Sequence, residues 1–365
     1  MNTVHRHVKK TMSEATPTIM RRPVWEERND MTPSPAYLAT LSHACIATSP
    51  DGRWLLSTSF SARTVEVYAM VANKIERLAT SLPVREEGKI NIVVSPDSRS
   101  FAIACVDFNA YVYGFIDDDG RLTSLEPKTF RGHLNWVADV CFYHDGLLLA
   151  TGSFDCTARI WDVATQTQLH VLNAGLGVRS VAFVPNSPCI AAAGGIVYVW
   201  NVQNGELVSE FQFQETTFVQ VACSANGKWL ACGTYRGRVH LMSLEDTTKR
   251  TVLCDKNTYT RDLVFSPNSK LLAAAIGRNV LVWSVESKTL HYVFHINTDL
   301  RNVAFVGRSN HVLATCEDVV GAQLWDLHTP FRDGVLAALR HPGWARFLLD
   351  QDGDHAIATK VARFM

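Results

Sequence analysis

From about residue 35 onward, short apolar runs alternate with polar turns, and none of the runs carries the apolar spacing of a helix. Stretches such as Val280-Leu281-Val282-Trp283 read as strands. Leu- and Ala-rich runs, among them Leu147-Leu148-Leu149-Ala150, Trp229-Leu230-Ala231 and Leu271-Leu272-Ala273, each follow a turn built on Asp, Asn or Ser. These turns fall at Asp51, Asp97, Asp145, Asn186, Asn226, Asn268, Ser309 and Asp352, separated by 46, 48, 41, 40, 42, 41 and 43 residues. Asp-Gly and Asn-Gly steps supply the positive φ that tight hairpins need. A period near 41 accommodates four short strands and their turns, the size of one β-propeller blade. Each such sheet is apolar on both faces and is not stable alone; radial packing of blades buries those faces. The pattern therefore predicts an all-β propeller of four-stranded blades over residues 35–365. Eight sets of inner strands favour eight blades over seven, the last running from His341-Pro342-Gly343-Trp344 to Met365.

Residues 1–34 are polar and end in Thr32-Pro33-Ser34-Pro35, which reads as a disordered or extended tail. Arg6, Lys9, Lys10, Arg21 and Arg22 make it basic, with a mitochondrial presequence as the lesser alternative. Lys plus Arg equals Asp plus Glu at 35 each, so no global charge pulls the protein toward nucleic acid or acidic lipid. No apolar run approaches the ~20 residues of a membrane helix, and no membrane insertion is expected. Nine cysteines lie scattered, several inside strand-like runs (Cys105, Cys141, Cys232) and none in a Cys-x-x-Cys pair. That usage points to reduced thiols in a cytoplasmic or nuclear protein, not to a disulfide or zinc framework.

The third unit reads Arg131-Gly132-His133-Leu134-Asn135-Trp136-Val137, then Ala150-Thr151-Gly152-Ser153-Phe154-Asp155-Cys156-Thr157-Ala158-Arg159-Ile160-Trp161-Asp162. From Gly-His to Trp-Asp it resembles a complete repeat of the WD-repeat β-propeller family. The resemblance implies a buried hydrogen-bonded network locking the blade, carried here by His133, Ser153, Asp155 and Trp161. Buried polar groups persist when they satisfy one another, so His133 and Asp155 read as structural and not as a catalytic dyad. Trp325-Asp326 repeats the ending in unit seven, whereas Trp200 and Trp283 stand without the Asp. The resemblance also implies that an N-terminal segment supplies the last outer strand and closes the ring; Pro35–Leu41 and Met20–Trp25 are the two candidates.

Nothing in the chain assembles a catalytic or cofactor motif. Gly175-Leu176-Gly177-Val178-Arg179-Ser180 lacks the third glycine of a dinucleotide fingerprint and reads as a loop between blades. His5-Arg6-His7 and Asp117-Asp118-Asp119-Gly120 lack the further ligands of a metal site, and no Gly-x-Ser-x-Gly elbow occurs. Phe130-Arg131-Gly132 is one arginine short of the lipid-binding motif of autophagy-type propellers. Trp161-Asp162-Val163-Ala164 and Trp325-Asp326-Leu327-His328 lack the arginine common in ubiquitin-ligase receptors. In a WD blade, the residue before the turn aspartate usually points from the top face. Here Phe60, Phe154 and Tyr235 hold that position, and Phe108 joins them if the register shifts by one. Exposed aromatics in a ring are typical interface anchors. The expectation is a non-enzymatic scaffold without cofactor or metal, binding a peptide or folded protein on the propeller face within a multi-subunit complex and contacting no nucleic acid directly. The alternatives are a propeller enzyme with a central-channel site and a subunit of a nucleic-acid-associated complex.

Overall fold

The computed structural model describes residues 36–41, 45–58, 64–71, 74–83, 88–114, 126–212, 217–246, 248–295, 299–305, 312–316 and 322–326. Within them the chain forms seven antiparallel four-stranded sheets. Blades one to six are consecutive in sequence and occupy 45–83, 89–130, 137–173, 180–211, 218–255 and 260–295. The first strands of successive blades contact one another, and that of blade seven, Leu300–Phe305, returns to that of blade one, Cys45–Thr48. The Thr48 hydroxyl donates to the Phe305 carbonyl at 2.8 Å across this seam. The first strand of each blade is thus innermost and the fourth outermost.

The expected eight blades are not formed; the ring closes at seven. Blade seven contains only three strands of its own neighbourhood, Leu300–Phe305, Val312–Cys316 and Ala322–Asp326. Its fourth is Ala36–Leu41, antiparallel to Ala322–Asp326, with Ala36 opposite Asp326 and Leu41 opposite Ala322. Because blade seven already touches blade one, no gap is left between them for another sheet. The run counted as an eighth unit lies in residues 327–365, outside the described residues, as do the 1–34 tail and the alternative clasp Met20–Trp25.

The core lies between blades, as sheets apolar on both faces require. The second strands are buried along nearly their whole length, for example Leu148–Ser153 and Leu271–Ile276. Ala150, Ile160 and Leu172 of blade three pack against Val181, Phe183, Ile190 and Trp200 of blade four. Phe130 of blade two meets Trp161 of blade three edge to face, 5.9 Å between centroids. Phe130 is fully buried in this contact, so the Phe-Arg-Gly step is the entry to a blade. Burying each large side chain stabilises the fold by roughly 1.5–3 kcal/mol, and the contribution is spread around the whole ring.

A second belt holds the inner strands together. Asp139 of blade three accepts the Val140 N–H and, at 2.8 Å, the Val181 N–H of blade four; Asn91 of blade two donates to its other side. Asp262 of blade six accepts the Leu263 N–H and the Val303 N–H of blade seven, with Asn302 Nδ2 at 3.3 Å. Gln220 Nε2 donates to the Arg261 carbonyl at 2.6 Å. The inner-strand register slips just before Asn91, Asp139, Gln220, Asp262 and Asn302. A bulge of this kind bends the strand and re-aims the following side chain, here toward a neighbouring blade.

Candidate functional site

Two loop sets share one face of the ring: the turn between second and third strands, and the loop leading into the first strand. In blade three they are locked by the expected aromatic and polar residues together. Trp161 Nε1–H donates to Thr151 Oγ1 at 2.9 Å, and Thr151 Oγ1 lies 2.7 Å from His133 Nε2. His133 Nδ1 lies 2.8 Å from Asp155 Oδ2. One proton arrangement satisfies all of these atoms: Thr151 donates to Nε2, and a neutral imidazole donates from Nδ1 to the carboxylate. Burial holds the His133 imidazole below its usual pKa despite the nearby Asp155, which agrees with that neutral form. Burial alone would raise Asp155, but bonds from the Thr157 hydroxyl, the Leu134 N–H and His133 outweigh it and bring the carboxyl to about 2.

The hydroxyl joining Trp161 to His133 belongs to Thr151, a residue that the motif reading of His133, Ser153, Asp155 and Trp161 did not include. Ser153 sits at the edge of the network: it donates to the Asn135 carbonyl at 3.1 Å and accepts the Asp155 N–H at 3.1 Å. The physical reason is distance along the strand. Thr151 pairs with Arg159 across the sheet, two residues from the pairing of Leu149 with Trp161, and so lies beside the indole, whereas Ser153 lies on the same face but two residues further on. Ser153 ends the strand, where its hydroxyl meets the turn instead.

Phe154 and Tyr235 open equivalent turns. The Phe154 N–H donates to the Trp136 carbonyl at 3.0 Å, and the Tyr235 N–H to the Thr217 carbonyl at 2.9 Å. The Phe154 ring is half-buried, edge-to-face with Trp136 at 6.2 Å, and Arg179 lies over it at 4.8 Å. Tyr235 is perpendicular to Tyr259 at 5.0 Å, and Arg261 lies over Tyr259 at 4.8 Å. Blade four carries no aromatic at this position; a Cβ on its turn residue Gly195 would collide with the Leu176 side chain, which lies across it. Phe60 lies outside the described residues. Phe108 does not take the position by a one-residue shift. The Val106 N–H donates to the Gly88 carbonyl, so Val106 is the equivalent of Phe154, and Phe108 falls two residues later with φ +73°. Blade five has Gly237, also at φ +73°, at that later step.

The signal overlooked in the sequence is the set of apolar residues around these rings. Leu134 (80% exposed), Leu176 (59%), Tyr235 (58%) and Trp136 (49%) all sit in the loops of this one face on blades three to five. Gly175-Leu176-Gly177 forms the loop between blades three and four, and its second glycine leaves room for the Phe154 ring. Trp136 and Leu176 lie within motifs that point elsewhere, and each is recognisable only as a large apolar residue in a turn.

A closed ring of four-stranded antiparallel blades, each assembled around an inner strand, defines a β-propeller. Residues 126–162 and 166–201 match the family described as WD domain, G-beta repeat, and together with the blade-three network in the first of these segments this supports a WD-repeat family. It is 29% identical over 180 residues to rat apoptotic protease-activating factor 1, covering 47% of this chain and 14% of the relative. It is 38% identical over 117 residues to the WD repeat-containing protein 26 homolog of Drosophila melanogaster, 29% of this chain and 19% of the relative. With WD repeat-containing protein VIP3 of Arabidopsis thaliana the identity is 29% over 157 residues, 38% of this chain and 49% of the relative. The matched segments thus span less than half of each of these relatives.

Proposed function

We propose that this chain is a non-catalytic interaction scaffold, one subunit of a multi-subunit assembly, that holds a protein partner on the upper face of blades three to five. The observation that carries the reading is the concentration of Leu134, Trp136, Leu176 and Tyr235 in the loops of that face. Large apolar side chains held in water by a rigid ring gain free energy when a partner covers them, and aromatic ones do so with little rotamer loss. WD-repeat relatives support a scaffold in general; the rat relative is by its name a protein that acts on a protease. Trp136→Ala and Tyr235→Ala test the reading. Co-purification of the partner with the parent chain but not with the variants, at nearly unchanged melting temperature, is the expected result. Undiminished co-purification by both variants would remove this face from the function.

A further inference from the structure

Cationic side chains surround the same rings and, given that the partner binds on this face as proposed, they narrow its chemistry. Arg131, Arg179 and Arg236 are exposed in the loops of blades three to five, and among the described residues none of them is held in an ion pair. Among the described residues, the nearby carboxylates Asp155 and Asp255 are already engaged. Asp155 is bound by His133, Thr157 and the Leu134 N–H, and Asp255 is paired with Arg238 at 2.8 Å. The whole chain has no net charge, so a group of three exposed guanidiniums is a feature of these loops and not of the protein at large. We propose that the occupant of this face is an acidic peptide segment with large aliphatic side chains, its carboxylates meeting Arg131, Arg179 and Arg236 and its apolar groups covering Leu134, Trp136 and Leu176.

Arginine beside aromatic rings also suits single-stranded nucleic acid, and the rings that the arginines cover, with the exposed aliphatic residues, favour the peptide. Base stacking needs an open ring face. The Phe154 face is covered by Arg179 and the Tyr259 face by Arg261, while the most exposed apolar residue is the aliphatic Leu134. A guanidinium already resting on a ring presents its N–H groups in a plane fixed for a carboxylate, which it meets with two parallel bonds.

Fluorescence anisotropy with the full chain tests this. The probes are labelled peptides of alternating Glu and Leu, Ser and Leu, and Lys and Leu, together with a short poly-uridine. Binding of the Glu-Leu peptide at least about tenfold tighter than the Ser-Leu peptide, weakening as salt rises, is the expected result. Arg179→Glu and Arg236→Glu should each weaken it about tenfold or more and leave the melting temperature nearly unchanged, with partial recovery in Arg179→Lys. Equal affinity for the Glu-Leu and Ser-Leu peptides, both weakened by Trp136→Ala, would overturn the acidic partner and leave the face as a binding surface. Failure of Trp136→Ala and Tyr235→Ala to weaken any probe would overturn the face itself. Tighter binding of poly-uridine than of any peptide, or no binding of the Glu-Leu peptide, would also overturn the inference.

Discussion

Thr151 shows how much one side chain decides in this ring. Its counterparts by strand register are Ile103, Ala192, Cys232 and Ala274 in blades two, four, five and six, none with a hydroxyl. Blade three buries at this depth an indole N–H and an imidazole that both use the Thr151 hydroxyl. Thr151→Val preserves shape and strands both, so it should cost about 2–4 kcal/mol, whereas Ser153→Ala should cost about 1. Urea unfolding of the two variants measures this, and equal losses would contradict the assigned bridge. A second residue-scale effect concerns Asp262. Burial lifts its carboxyl to about 7, against the bonds from the Val303 and Leu263 N–H groups and Asn302 that lower it. A carboxyl raised on folding contributes stability that is full below its unfolded pKa of about 3.9 and is lost as pH rises through about 7. His133 and His240 are lowered by burial and act in the opposite direction below about pH 6.5. Comparison with Asp262→Asn isolates the carboxyl: between about pH 5 and 8 the parent should lose more stability than the variant, read as melting temperature across a buffer series.

At the scale of the element, the strand Ala36–Leu41 alone among the described strands joins a sheet out of sequence order, completing blade seven. Without it, Ala322–Asp326 would present an unpaired edge, which is prone to pairing with other chains. A chain beginning after Leu41 should lose about 2–5 kcal/mol from the missing ladder bonds and should self-associate. Thermal melts and light scattering on that truncation check both; a monomer as stable as the parent would mean that the closing pair is dispensable. The bulges of the inner strands are the other element-scale device. Each sits one step before a polar residue that reaches a neighbouring blade, so the same irregularity that breaks the ladder inside a sheet builds a bond between sheets.

Across the whole molecule, stability should be graded from axis to rim. The second strands of blades three to six are almost wholly buried, while the outer strands Gln168–Asn173 and Leu207–Phe211 expose most of their residues. Backbone amides open most readily where few buried contacts hold them. Hydrogen exchange followed by mass spectrometry should find Leu148–Ser153, Cys189–Gly194, Trp229–Thr234 and Leu271–Ile276 slowest, and the two outer strands fastest. Uniform protection would mean that the blades open only together. The turns that carry Phe154 and Tyr235 follow the strands that open least, whereas the loop that carries Leu176 leaves the outer strand Gln168–Asn173.

The four-stranded repeat, its turns and the Gly-His to Trp-Asp unit are legible in the chain because each depends on neighbours within about 41 residues. Phe154 and Tyr235 can be aligned for the same reason. The number of blades cannot be read this way: it depends on which residues fill the place beside blade one, and Leu300–Phe305 does so from more than 250 positions away, with Ala36–Leu41 completing the last sheet. The motif by itself does not name the bridging hydroxyl: Thr151 and Ser153 lie on one face of the strand, and the cross-strand register places Thr151 nearer Trp161. The belt of Asn91, Asp139, Gln220 and Asp262 recurs four residues before each of the turns at Ser95, Tyr143, Ser224 and Ser266, yet a polar residue in a strand says nothing of its partner until a neighbouring sheet supplies the N–H. Local periodicity and turn chemistry belong to the sequence by itself. Closure, the partners of buried polar groups and the gathering of separate loops onto one face arise only when the sheets pack, because each is a contact between residues that nothing in the linear order brings together.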